Sequence, residues 1–155
     1  MSDEETNDRG NTTEFVSLSA GGQGFCVPIT SIREIRRWSQ VTALPFAEDS
    51  VLGVMNLRGA VIPIVDLAAR LGLGTTEIGA RNIVVVVAIG PRIMGMLVDS
   101  VSEILSVNSE TIRPNPTIRR DGGASHVTGL LPVDDIMLRV LDLDALFARE
   151  GEEAA

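Results

Sequence analysis

The feature that most constrains this chain is an internal echo. Gly53 to Leu67 reads G-V-M-N-L-R-G-A-V-I-P-I-V-D-L, and Gly129 to Leu143 reads G-L-L-P-V-D-D-I-M-L-R-V-L-D-L. In each copy an Asp follows the Gly by 13 positions, as Asp66 and Asp142. A second echo lies upstream: Ile29-Thr30-Ser31-Ile32-Arg33-Glu34-Ile35 matches Val98-Asp99-Ser100-Val101-Ser102-Glu103-Ile104. The two echoes keep their order, at offsets of 69 and 76 positions. The chain therefore reads as two copies of one β-rich unit, 14–80 and 81–149. Two copies are too few for a solenoid, so they predict two small barrels or sandwiches side by side.

Within the first copy, two apolar runs flank a polar knot, Asn56-Leu57-Arg58-Gly59. Val61 to Val65 is β-branched apart from Pro63 and predicts a strand. Pro63 has no N–H, which places that strand at an edge or at a bulge. Gly59 supplies the backbone freedom for a bend between the runs. Arg58 at that bend has two readings: an internal ion-pair partner that fixes the turn, or a guanidinium presented to another protein.

The remaining strands follow from apolar runs and turn signals. Alternation predicts a strand over 14–19, then a turn at Gly21-Gly22-Gln23-Gly24 and a second strand from Phe25 to Ile29. Thr30-Ser31 opens a single helical turn before a strand over 34–39. The unalternated Val and Ala run within Ile83–Ile89 predicts a strand buried on both faces. Strands over 92–99, 101–107, 126–133 and 136–141 complete the second copy, and 113–125 reads as an exposed loop. Asp66 and Asp142 are natural N-caps for two short helices.

Charge and composition narrow the function. Net charge is −8, but residues 1–13 hold four acids against one Arg and 150–155 hold three Glu, so the body is nearly balanced. Both tails, 1–13 and 150–155, read as acidic, the first as disordered. The acidic balance and the lack of Tyr, with four Phe and one Trp, argue against nucleic acid and anionic membrane surfaces. One cysteine, Cys26, excludes an internal disulfide and fits a reducing, cytoplasmic setting. No apolar run approaches the ~20 residues of a membrane span.

Catalytic patterns are missing. The one His, His126, and the one Cys, Cys26, fall in different copies, and Cys26 sits in an apolar strand where a buried structural thiol is the rule. Asp134-Asp135 has no His or Cys to complete a metal site, and no cofactor motif is present. No catalytic, metal-binding or cofactor-binding residue is expected, and the chain reads as a protein that works by surface.

The motif Asn56-Leu57-Arg58-Gly59 followed by V-I-P-I-V-D-L resembles the CheW family of chemotaxis coupling proteins. Supporting matches are Phe15-Val16-Ser17-Leu18, Ile32-Arg33-Glu34-Ile35-Arg36, Met94 to Val101, and Ile112-Arg113-Pro114, which together span nearly the whole chain. The resemblance implies an all-β fold with short helices: two similar five-stranded barrels, side by side. It also implies a non-enzymatic scaffold that couples the cytoplasmic tips of methyl-accepting chemoreceptors to the regulatory domain of the histidine kinase CheA. Such a scaffold is cytoplasmic, recruited to membrane-associated receptor arrays without inserting in the membrane. By motif match, Ile32, Arg58, Gly95, Val101 and Ile104 fall at positions of the family's receptor groove between the barrels. Glu34 resembles the internal partner of Arg58, with Asn56 and Gly59 supporting the turn. The competing reading is a small β-barrel enzyme or ligand binder with a site that no motif reveals.

Overall fold

The computed structural model describes residues 12–115 and 126–148. The two acidic tails, apart from the first residues of the opening strand, and most of the 113–125 loop lie outside them. The described residues form β1 (Thr12–Ala20), β2 (Gln23–Pro28), β3 (Ile32–Arg37), β4 (Val51–Leu57), β5 (Ala60–Asp66), β6 (Ile83–Ile89), β7 (Arg92–Val98), β8 (Ser100–Asn108), β9 (Arg113–Pro114), β10 (Val127–Val133) and β11 (Ile136–Leu141). Two four-residue helices, α1 (Leu67–Arg70) and α2 (Leu143–Leu146), complete them with two 3-10 turns, Ile29–Ser31 and Ser109–Thr111. The mainly β fold is the one the sequence implied. Among the described residues no helix is long and apolar enough to cross a membrane.

The strands form two sheets, ordered β8-β1-β2-β11-β10-β9 and β3-β6-β7-β5-β4. Val84 to Val87 on β6 are all buried, as an unalternated β-branched run requires. The pairings β10 with β11 and β9, β3 with β6, β4 with β5 and β6 with β7 are antiparallel, and each sheet has one parallel seam, β5 with β7 and β11 with β2. Each sheet also gains a short closing segment. Thr42, downstream of β3, pairs with Val54 of β4. Likewise β9, downstream of β8, pairs with Leu130 and Gly129 of β10. The chain leaving one outer strand thus returns to the opposite edge, which is how a five-stranded sheet closes on itself. It also explains the sixth strand, because β9 continues the path of β8.

The glycines that begin the two echoed stretches make this return possible. Gly53 and Gly129 both follow register shifts in their hairpins. A Cβ on Gly53 would run into the carbonyl oxygen of Thr42, and one on Gly129 would lie 2.8 Å from the carbonyl oxygen of Arg113. A bare backbone is needed where the closing segment passes over the bulge.

Each unit has its own core. In one, Met55, Leu57, Ile62, Ile64, Val84, Val86 and Leu97 cluster, with Trp38, Val41, Leu52 and Ile93 packed against them. In the other, Phe15, Cys26, Leu131, Leu138 and Val140 cluster beside Leu105, Val107, Ile112 and Val133. Asp66 and Asp142 cap α1 and α2 by accepting from the amides of Ala69 and Ala145. Asp66 is buried, and it also accepts from the Thr76 amide and hydroxyl at 2.8 and 2.6 Å. Those bonds satisfy a carboxylate that burial would otherwise penalise, and they fold the 71–82 connection back onto α1.

One expectation is corrected and one is narrowed. The chain does not divide into consecutive halves at 80/81. Among the described residues, one compact unit takes those up to Ser17, Gly24–Ile29 and those from Glu103 onward, while the other takes Leu18–Gln23 and Thr30–Ser102. The reason is pairing: β6 and β7, from the second copy, hydrogen-bond to β3 and β5 of the first. The strand that carries Pro63 is not at an edge, since β5 lies between β7 and β4; of the two places expected for it, the hairpin supplies the bulge, between Val51 and Gly53 of β4. Pro63 pairs with Val54, and the ladder to β7 begins only at Ile64, so the missing N–H costs no bond on that side.

Candidate functional site

The polar knot folds as a two-residue hairpin turn between Leu57 and Ala60. Arg58 has φ 51° and Gly59 φ 90°, and positive angles at both central residues define a type I′ turn, whose twist matches that of paired strands. The Asn56 side-chain oxygen accepts from the Gly59 amide at 2.9 Å. That bond supports a turn in which Arg58, an unusual residue for the left-handed region, bears strain. Asn56 and Gly59 thus shape the turn that carries Arg58.

Glu34 comes from β3, just past a register shift between Ile32 and Glu34 in the pairing with β6. Its Oε1 accepts from Arg58 Nη2 at 2.5 Å, and its Oε2 lies 3.5 Å from Arg36 Nη1. One carboxylate thus sits between two guanidinium groups. The hydrogen bond from Arg58 holds the Glu34 carboxyl below its ordinary pKa, opposed by partial desolvation, with the charges of Arg58 and Arg36 adding to the lowering. The Arg58 side chain remains 76% exposed, against 26% for Glu34. Glu34 fixes one face of the guanidinium, and the rest stays in solvent. The two readings of Arg58 are compatible: the internal bond orients the group that is presented.

The other expected residues scatter. Ile32 is half-buried at the start of β3, opposite Val87. Val101 is half-buried near the start of β8, and Ile104 is 57% exposed further along the same strand. Strand alternation directs these two side chains to opposite faces. Gly95 is buried on β7 opposite Ile64, and its Cβ direction points at Ile64 Cδ1 and Val84 Cγ1. It serves the packing of its own core and offers no side chain to a partner. Cys26 is fully buried, and burial pushes its thiol up to about 12, so thiolate is scarce at neutral pH.

One surface residue near the knot was not singled out by sequence. Val61 is 68% exposed and pairs with Asn56, directly beside the turn. Its signal was available: Ile62 and Ile64 are buried, and period-two alternation turns Val61 outward from the same strand. An oriented guanidinium beside an exposed Val is the kind of polar-apolar pair that protein interfaces use. Among the described residues no group of His, Cys, Asp and Glu is placed to hold a metal ion.

Comparison with known proteins agrees with this geometry. Residues 14–151 match the family model described as a CheW-like domain. The probable chemotaxis protein CheW of Rhizobium etli is 44% identical over 92% of this chain and 92% of its own length. The chemotaxis protein CheW of Klebsiella aerogenes is 33% identical over 88% of this chain and 82% of its own. Among solved structures, the scaffolding protein TtCheW from Thermoanaerobacter tengcongensis superposes with a TM-score of 0.79 at 27% identity, covering 87% of this chain and 92% of that one. With its doubled hairpin, its N-L-R-G turn and these matches over nearly its whole length, the chain belongs to the CheW-like family.

Proposed function

We propose that this chain is a non-enzymatic chemotaxis scaffold that couples chemoreceptor cytoplasmic tips to the histidine kinase CheA. It acts at the cytoplasmic face of membrane-associated receptor arrays. The observation that carries the reading is the Arg58 corner: a mostly solvent-exposed guanidinium held by Glu34, on a turn braced by Asn56 and Gly59. Such a corner gains nothing for a buried core and suits recognition of a partner's polar surface. In this reading Arg58 and Ile104 contact partners, while Ile32, Val101 and Gly95 hold the supporting backbone. The relatives named above, chemotaxis proteins and a scaffolding protein, support the same role.

Co-sedimentation with receptor cytoplasmic fragments and the kinase tests it. The wild-type chain should enter the ternary pellet and raise kinase activity, and Arg58→Ala should lose both. A double-mutant cycle with Glu34→Ala separates the two roles of the arginine. Losses in affinity that multiply show Arg58 touching the partner independently of Glu34. Losses no larger in the double than in either single show the pair acting as one unit. A folded Arg58→Ala protein with full binding and activation removes the corner from the mechanism.

A further inference from the structure

The two copies do not merely resemble each other; they have traded strands. Under the offsets of 69 and 76, β6, β7 and β8 correspond to β1, β2 and β3, and β10 and β11 correspond to β4 and β5. Translating the sheet order β3-β6-β7-β5-β4 through those offsets yields β8-β1-β2-β11-β10, which is the order observed in the other sheet. The register agrees as well. Ile64 pairs with Gly95 across one parallel seam, and their counterparts Val140 and Cys26 pair across the other. Each sheet takes its first hairpin from one copy and its remaining strands from the other. Four seams therefore join the halves of the chain: β3 to β6, β5 to β7, β8 to β1, and β11 to β2.

The covalent link between the halves is under no tension. Asp66 pairs with Leu97, and Ile83 pairs with Val98, so β5 ends and β6 begins at the same end of β7. Two strand spacings, about 10 Å, separate them, and residues 67–82 cross that gap with length to spare. Residues 77–80 are exposed. We infer that the connection is dispensable, and that the two halves of the chain are strand-exchange partners able to assemble in trans. The partner for an N-terminal half is the C-terminal half of any copy of this chain.

The test uses the full chain with a specific protease site inserted between Glu77 and Ile78, the uncut protein serving as the control for folding. After cleavage the two pieces should co-elute at the size of the intact chain with an unchanged β-sheet circular dichroism spectrum. They should separate only in denaturant. The unfolding midpoint of the cut protein should rise with protein concentration, as for any two-part assembly, while that of the uncut protein stays fixed. When two cut preparations, one tagged on its N-terminal half and the other on its C-terminal half, are unfolded together and refolded, capture of the N-terminal tag should recover the C-terminal tag. Pieces that part under native conditions, whether folded or unfolded, overturn the inference, as does a midpoint independent of concentration.

Discussion

Gly95 offers a sharp test of whether a residue matched to a binding motif acts by contact or by packing. A Cβ added there would lie 2.5 Å from Ile64 Cδ1 and 3.2 Å from Val84 Cγ1, where carbon atoms favour about 3.5–4.0 Å. Ile64 and Val84 are both fully buried, so neither can swing into solvent. Overpacking of this kind costs about 1–3 kcal/mol, offset in part by the ~0.5–1 kcal/mol that Ala gains over Gly in a strand. The other unit has already solved the problem: Cys26 stands at the equivalent of Gly95, and its strand partner is Val140, one methylene smaller than Ile64. The double variant Gly95→Ala/Ile64→Val should therefore recover much of the loss. Alone, Ile64→Val costs about 0.5–1.5 kcal/mol, and the pair should fall below the sum of the singles by about 1 kcal/mol. Urea unfolding followed by the one Trp reads it directly, because Trp38 packs against this same core. Additive costs would refute the packing account. Normal stability in Gly95→Ala with loss of receptor binding would return Gly95 to the contact surface.

Two further outcomes follow from the same geometry. Gly53→Ala drives a Cβ into the Thr42 carbonyl and should break the Thr42–Val54 bridge, whereas Gly59→Ala meets open space and bears only the strain of φ 90°. Urea midpoints should show about 1–2 kcal/mol for Gly59→Ala and a clearly larger loss for Gly53→Ala; equal losses would contradict the closure of the sheet at Thr42. The second outcome concerns acid. Because Arg58 lowers the folded-state pKa of Glu34 below 4.5, the bridge contributes fully above the unfolded-state value and is lost as pH falls through the folded-state value. The stability gap between wild type and Arg58→Ala, measured by thermal melts from pH 7 down to 3, should hold steady at the upper end and narrow below about 4.5. A gap that widens on acidification would reverse the assignment.

Much of this fold was written locally. The unalternated run Ile83–Ile89, the strand Ile136–Leu141 and the caps Asp66 and Asp142 appear where periodicity and capping chemistry place them. Alternation would also have flagged Val61. What escaped were the long-range pairings. Cys26 meets Val140 across more than a hundred residues, and nothing in either strand's own pattern names its partner. A duplicated sequence is equally consistent with two self-contained units and with two units that exchange hairpins, since both bury the same faces. Pro63 left its strand between two places for the same reason: a missing N–H shows that a bond is absent, but not on which side a neighbour stops. The role of Gly95 was hidden because a glycine in a strand records only that space is short, and the atoms that take the space belong to Ile64 and Val84.

The duplication also separates what the fold needs from what it does not. Both copies place a two-residue turn at the same point, and Arg58 and its counterpart Asp134 share the same left-handed backbone, at φ 51° and 54°. The continuation differs, for Gly59 has a positive angle while Asp135 is not among the residues that do. The Glu recurs too, as Glu34 and Glu103. In the first copy the turn charge is opposite to that Glu and pairs with it; in the second it is the same. Since both turns form, a charge pair at this corner is not a requirement of the hairpin. Arg58 is therefore a choice the backbone leaves open, made at a residue that remains mostly in solvent. A structural demand would act on both copies alike; a demand met in one copy alone is what the proposed partner contact at Arg58 requires, and the Arg58→Ala binding assay is where it is tested.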